Sequence, residues 1–547
     1  MEKRTLLALT LSFLMLGFYP VILQKIYPDY KGPAASAPKA GFIKPASPAS
    51  PALPHSAAVS ASAAELSPAG DILFENENLR LVFNKKGGVL REIAFKKFAD
   101  SETQRPLRLV SLEDSGQAPF AAEILENNAG LPAEAAGDYE VRAADPENIL
   151  AETVLGGKLK IKKTLTFGAA RYDGKLRLSF QNNSSEAIEF RYALVVGPDI
   201  PPRHSIDSQY LESNFYSNAG GRPEIRHVKE TKLGKSVSSL VPPEWVAVKD
   251  RHFSILVKPL SGGGFTGLVQ GLGGHRSKTS LVSEKISVLA RSSAEHEFQI
   301  YIGPNELQEL DPIGLGPLVN FGKLDAIGKI LVGGLELLHK IFKNYGLSII
   351  ALTVLINLLL FPFTRVSYLS MKRMQLVQPQ MTRLREQHKK NPEKLNRETM
   401  ELYKKHKVNP FGGCLPMLIQ MPVFIALYVA LSKSVILINS KLLWIRDLSS
   451  PDSVPLGLSL PFLGNSVHIL PLLMAAAMAL QQKFTQIKLE GQDPATESQQ
   501  KMMAVMMPVL FGFIFYSMPS GLVLYWLTNT LLMTFYQLRL KNMTLVS

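Results

Sequence analysis

Beyond residue 343 the chain carries four apolar stretches, at about 344–364, 415–437, 467–484 and 503–538. No other feature restricts its fold so tightly. About twenty apolar residues match the hydrocarbon thickness of a bilayer, and backbone placed there must pair its own polar groups, which favours helices. Ser517–Gly521 interrupts the last stretch, and its Pro519 and Gly521 mark a tight turn, so this stretch reads as two spans. Thr5–Leu23, preceded by Lys3 and Arg4, adds an N-terminal anchor over 1–25. A cleaved signal peptide is the alternative, but the small residues Ala34–Ser36 lie late for a cleavage site. The expected fold is a membrane α-helical protein with six transmembrane helices, five of them forming the core bundle over 343–541.

Charge orients the spans. Residues 365–413 hold twelve Lys and Arg against four Glu, a net of +8 within a chain of net charge +14. Positive loops stay inside, so this loop and both termini are expected in the cytoplasm of a multi-pass protein, and the block before the core is exported. Met374, Val377, Met381 and Leu384 form one helical stripe and Leu395, Leu402 and His406 a second, with Lys390-Asn391-Pro392 turning the chain. The loop therefore reads as a helical hairpin over 366–408. Its cations suit ribosomal RNA or anionic headgroups, although orientation alone also requires them.

The exported block follows a different pattern. Residues 31–69, rich in Ala, Pro and Ser, read as a tether. Over 71–305, runs such as Leu79–Phe83, Lys158–Lys162 and Lys175–Phe180 alternate apolar and polar residues between turns that contain Gly and Asn. That alternation predicts an all-β antiparallel sandwich. His204, His227, His252 and Asp250 lack metal-ligand spacing, and Gly234-Lys235-Ser236 lacks the earlier glycine of a phosphate loop. The single cysteine, Cys414, excludes a disulfide framework and paired-cysteine zinc. No metal, cofactor or catalytic residue is expected. Residues 318–342 read as an amphipathic helix in the membrane interface, its stripe being Leu324, Ile327, Leu331, Leu335, Leu338 and Phe342. Packing against the sandwich is the alternative.

Polar residues inside the spans are the candidate functional groups. Thr353, Asn357 and Thr364 fall within about 40° of one another on a helical wheel. Asn357 lies fourteen residues past Lys343, ~21 Å down a helix. Gln420, Thr528 and Asn529 lie on other spans. An amide facing lipid without a partner costs several kcal/mol, so these groups face each other or water, either as helix glue or as a polar-lined cavity. Met502, Met503, Met506, Met507 and Met518 supply an adaptable apolar neighbour.

Longer motifs add a resemblance. Asn409-Pro410-Phe411-Gly412-Gly413-Cys414-Leu415-Pro416-Met417-Leu418-Ile419-Gln420-Met421-Pro422 resembles the signature of the YidC family of membrane-protein insertases. Pro519-Ser520-Gly521-Leu522-Val523-Leu524-Tyr525-Trp526 is similar to that family's last hairpin, and Phe361-Pro362-Phe363-Thr364 to the end of its second span. The order of anchor, exported block, interfacial helix, span, basic hairpin and further spans resembles the Gram-negative form. The resemblance implies a non-enzymatic insertase and chaperone of the bacterial inner membrane, its large domain periplasmic with a sugar-enzyme-like fold. It implies as partners nascent membrane proteins, the Sec translocon, the ribosome through the basic hairpin, and membrane lipids, with no DNA and no cofactor. It further implies a hydrophilic groove for the substrate's polar tail and a greasy slide for its apolar segment. Carried over by position, the groove and slide residues are Thr353, Asn357, Leu418, Gln420, Met421, Phe424, Leu522 and Trp526; Arg365, eight residues past Asn357 and ~12 Å nearer the cytoplasm, is expected at the groove mouth. In one place the chain departs from the family: where an intramembrane arginine is usual, it has Asn357. Hydration of the groove, rather than a fixed charge, is then expected to attract polar tails.

Three rivals are a membrane transporter, a membrane-tethered periplasmic sugar-binding protein and a scaffold subunit. Transporters commonly show repeats and ionisable midplane residues, and the spans here show neither.

Overall fold

The computed structural model describes residues 71–541 apart from short internal stretches, the longest at 101–104, 112–117, 133–137, 202–206, 230–235, 407–414 and 486–493. The expected anchor at 1–25, the tether at 31–69 and the first residues of the signature motif, Asn409–Cys414, lie outside the described residues.

Alternation builds the sheets. In the strand Leu159–Phe167, Leu159, Ile161, Leu165 and Phe167 are buried while Lys162 is exposed, as a two-residue period requires. Among the described residues, sheets of four, six and nine strands form the N-terminal part, and their strands pair antiparallel. The nine-stranded sheet runs from Glu224–Lys229 at one edge to Glu140–Asp145 at the other. Phe83 and Phe95 from the four-stranded sheet, Leu178 and Phe180 from the nine-stranded one, and Tyr192 and Leu194 from the six-stranded one share a single apolar core.

One inward position of that strand holds an amine instead of an apolar group. Lys163 is fully buried, its Nζ donating to the carbonyls of Gly87 (2.9 Å), Gly88 (3.3 Å) and Phe120 (3.2 Å) beside the Tyr139 ring. Three acceptors favour the ammonium, but burial is stronger and pushes the amine down to about 7. Between that value and the ordinary lysine range, the unfolded chain binds a proton that the folded one does not. Stability of this domain is therefore expected to rise with pH above 7, by about 1.4 kcal/mol per unit at most, with no contribution to the slope below it. Chemical denaturation of the native and Lys163→Met chains from mildly acidic to mildly alkaline pH checks this, since the variant loses that part of the slope.

The C-terminal part is helical: α1 (Asp325–Phe342), α2 (Tyr345–Gln387), α3 (Pro392–Lys405), α4 (Leu415–Lys433), α5 (Ile469–Thr485), α6 (Pro494–Phe515) and α7 (Ser520–Lys541). Within α2, Tyr345–Met374 is long and apolar enough to cross a membrane, and among the described residues it alone meets both criteria. Shorter apolar runs occupy Gln420–Lys433, Ile469–Phe484 and Ala504–Phe515.

Two details differ from the sequence pattern. Regular helix begins at Asp325 rather than at 318, because the short turns Gly316–Leu318 and Gly322–Leu324 intervene. Gly322 is left-handed (φ +76°), and Asp325 accepts from the Phe321 N–H at 2.8 Å. The expected stripe is buried at its centre and exposed at Ile327 (38%) and Phe342 (43%), and a second apolar face lies beside it. Leu331 and Leu335 are buried in a core shared with α2, α4 and α7. Ile330, Leu337 and Ile341, roughly 120° round the helix, are 73%, 62% and 68% exposed. Neighbouring helices thus cover the leucine face and leave the isoleucine face open.

The span and the first arm of the hairpin form one continuous helix, α2, of 43 residues, ~64 Å long. Pro362 and Pro379 lie inside it, although proline disfavours a helix interior. The hairpin closes where Val377 and Met381 are buried against Leu402 and Tyr403, with His388 Nε2 2.9 Å from Glu398. His406, expected in the second stripe, is exposed, and Tyr403 takes the packing position.

Sheets and helices are joined by polar links as well as apolar packing. Arg251 and Asp207, each 1% exposed, pair at 3.2 Å. Arg251 Nη2 also donates to the Ser449 carbonyl at 3.1 Å, in the connection between α4 and α5. Lys433 Nζ donates to the Asn320 carbonyl (2.7 Å) and Asn439 Nδ2 to that of Ala99 (2.9 Å).

Candidate functional site

The polar groups of the helical part meet where α2, α4 and α7 come together. The outer side of α2 is apolar, with Leu355, Leu358 and Leu359 exposed, while Thr353 and Asn357 turn inward and are 0% and 2% exposed. Helical spacing explains the division, since i and i+4 share a face. Thr353 Oγ1 donates to the Ile349 carbonyl at 2.7 Å, and Thr364 and Thr528 likewise bond the carbonyl four residues back. These hydroxyls satisfy themselves on their own helices. The Asn357 amide crosses instead: Nδ2 donates to the Thr353 carbonyl (2.8 Å) and to Asn529 Oδ1 on α7 (3.0 Å). Its own Oδ1 is buried and has no hydrogen-bond partner among the described residues, and leaving such a group unpaired costs ~1–3 kcal/mol.

Gln420 on α4 is half-buried and donates from Nε2 to the Tyr525 hydroxyl on α7. Next to this pair, Trp526 meets Phe424 edge-on at 4.8 Å between ring centres, Phe515 at 5.4 Å and Phe511 at 5.5 Å. Met421 is exposed on the same helix as Gln420, whereas Leu522 is fully buried between helices. The side chain of Leu418 lies outside the described residues. Arg365 is exposed on α2, eight residues and ~12 Å along the helix from Asn357. Met506 on α6 is exposed beside Val505 and Val509.

The structure thus brings Asn357 to Asn529, Gln420 to Tyr525 and Phe424 to Trp526, and keeps Arg365 apart from all three pairs. Sequence reading alone does not single out Tyr525, Phe511 or Phe515 as site residues. Tyr525 carries a usable signal, a phenol beside Trp526 in an otherwise aliphatic stretch; the two phenylalanines carry none. Neutral donors, acceptors and rings of this kind bind and solvate. They include no nucleophile paired with a base, and among the described residues no group of three His, Cys, Asp or Glu side chains is placed to hold a metal.

The sheet part has its own concavity, a trough of about 450 Å³ lined by Glu152, Lys160, Lys162, Arg177, Glu295 and neighbouring polar residues. Glu152 lies 3.2 Å from Lys160 and 3.9 Å from Lys162, and no aromatic ring lines the trough to stack on a sugar. An ion-paired, solvated sheet face accounts for it.

Antiparallel sheets packed on apolar helices, with neutral amides, hydroxyls and rings gathered where α2, α4 and α7 meet, define a membrane protein with a polar site among its helices. The chain belongs to the YidC family of membrane protein insertases. The family described as YidC periplasmic domain matches residues 71–333, and the 60Kd inner membrane protein family matches residues 337–545. A membrane protein insertase YidC from Syntrophobacter fumaroxidans is 34% identical over 441 residues, 78% of each chain. One from Syntrophus aciditrophicus is 31% identical, covering 97% of this chain and 98% of its own. Among solved structures, an active YidC insertase crystal structure with the first transmembrane domain resolved is 20% identical, with a TM-score of 0.36, covering 87% of this chain and 93% of that one.

Proposed function

We propose that this chain inserts nascent membrane proteins into the bacterial inner membrane and helps them fold, and that the junction of α2, α4 and α7 receives the polar part of the substrate. The observation that carries this reading is the buried Asn357 Oδ1, without a partner among the described residues, in a site shared with Asn529. A buried acceptor demands a donor, and a passing peptide N–H or an accompanying water supplies one. Thr353, Asn357 and Gln420 make up the polar side of the path. Leu418, Met421, Phe424, Leu522 and Trp526 make up the slide along which an apolar segment moves into lipid. Leu522 reaches that segment only when α4 and α7 separate, so loading involves an opening of the helices. Arg365 gathers acidic tails at the mouth, and hydration rather than a resident charge carries them past Asn357.

The same reading has six crossings, with both termini and the α2–α3 hairpin in the cytoplasm and the sheets in the periplasm. α1 then lies in the interface with its isoleucine face toward lipid. Helix lengths of 17 to 22 residues for α4 to α7, ~25–33 Å, suit a hydrocarbon core of ~30 Å. The twelve cations of 365–413 favour the ribosome as the hairpin's partner, with the Sec translocon as a neighbour in the membrane.

Reconstitution of the full chain in liposomes with a short single-span substrate tests the proposal. The expected result is a protease-protected substrate fragment that depends on the chain. Equal protection in empty liposomes overturns it.

A further inference from the structure

Between α4 and α5 the chain forms a tight hairpin at Leu442–Ile445. The Leu442 N–H donates to the Ile445 carbonyl at 3.0 Å and the Ile445 N–H to the Leu442 carbonyl at 2.8 Å, leaving Leu443 and Trp444 at the tip. Leu443 adopts φ +52°, a region that a bulky L-residue rarely enters and that glycine or asparagine normally fills. It is nevertheless 85% exposed, and Trp444 is 37% exposed. A strained backbone that holds a large apolar side chain out into water is unfavourable on both counts, unless the tip does not face water.

Three contacts fix where the tip stands. Asn344, the N-cap of α2, donates from Nδ2 to the Lys441 carbonyl at 2.9 Å. Gly346, in the first turn of α2, lies so close to Leu442 that a Cβ there would meet the Leu442 side chain at 2.7 Å. His339 of α1 stacks on Tyr345 at 3.7 Å, which sets the end of α1 at the same level. The hairpin is therefore level with the first turn of α2 and with the end of α1. Trp444 Nε1 donates to Asp452 at 3.1 Å, so the indole is polar-satisfied on one edge and apolar on the rest. Such a ring suits the headgroup boundary. Lys441 and Arg446 are exposed on either side of the tip, placed for lipid phosphates.

We propose that the Leu443–Trp444 hairpin is a lipid anchor, inserted at the boundary of headgroups and acyl chains in the leaflet facing the exported domain. Its partner is phospholipid. The choice of leaflet rests on the membrane topology proposed above. The anchor holds the α4–α5 connection, and through the Ser449 carbonyl on Arg251 it fixes the height of the sheets above the membrane.

The test uses the full chain in phosphatidylglycerol/phosphatidylcholine vesicles. The chain has three tryptophans, so the emission lost in a Trp444→Phe variant is assigned to Trp444. Acyl chains brominated near the headgroup end are expected to quench that component about two-fold or more, as a tryptophan at the interface requires, with little quenching by aqueous iodide. Leu443→Asp is expected to reverse the two sensitivities. Strong quenching by iodide with none by bromolipid overturns the proposal, and so does a Leu443→Asp chain whose Trp444 remains as well quenched by bromolipid as the native one. Neither readout depends on insertion of a substrate, so failure of the anchor and failure of the insertase reading are told apart.

Discussion

Replacing Arg251 with alanine is expected to destabilise the chain by about 3–5 kcal/mol, the cost of removing one member of a buried ion pair, and to remove a bond that ties the sheets to the α4–α5 connection. Asp207 loses its guanidinium while 1% exposed, and the Ser449 carbonyl loses a donor. The native pair is weak evidence of net stability, because desolvation offsets much of its attraction. The asymmetry gives a sharper test. Arg251→Met combined with Asp207→Leu is expected to recover most of the loss, since no buried charge is left behind. Thermal unfolding of the detergent-solubilised chain measures both. Limited proteolysis should meanwhile show the single variant releasing the exported part from the helices. A single variant as stable as the native chain contradicts the assigned role.

The second large effect concerns activity. Asn357→Leu together with Asn529→Leu is expected to leave unfolding within ~1 kcal/mol of native, because apolar groups replace both partners of one hydrogen bond. Insertion of an acidic-tailed single-span substrate is expected to fall about ten-fold, the rate equivalent of ~1.4 kcal/mol. Stability and activity thus separate, as they should if the amides solvate a passing chain rather than hold helices together. A companion series decides between hydration and charge. Asn357→Ala is expected to be slow, Asn357→Arg to bring no large gain, and Arg365→Ala to impair capture of acidic tails. If Asn357→Ala matches the parent while Asn357→Arg is much faster, hydration at this position is not limiting.

Local periodicity makes much of this legible in the sequence. Thr353 and Asn357 share a face because of their spacing, and alternation in Leu159–Phe167 or Asp173–Asn182 reports strand and buried side together. Pairings across elements are not legible. Nothing in the spacing of Gln420 and Tyr525, or of Asn357 and Asn529, says which helices are neighbours. Nothing in the sequence pairs Arg251 with Asp207, which lie 44 positions apart and meet in the folded chain as a buried pair. Nor does the sequence show that the helix runs on through Pro362, since proline removes a backbone bond and crowds the preceding turn. On α1 the sequence shows one apolar stripe, whereas burial divides the apolar residues between protein and surroundings.

The unbroken course of α2 has a mechanical consequence. A rod that begins in the bilayer and continues for 23 residues beyond Thr364, ~35 Å, acts as a crank with Pro362 near its fulcrum. Force applied to the far end would be transmitted along α2 to the segment that holds Asn357, about one and a half turns from Pro362. Loading at the tip and loosening of the α2–α7 contact would then be coupled through one continuous helix, with no diffusible messenger required.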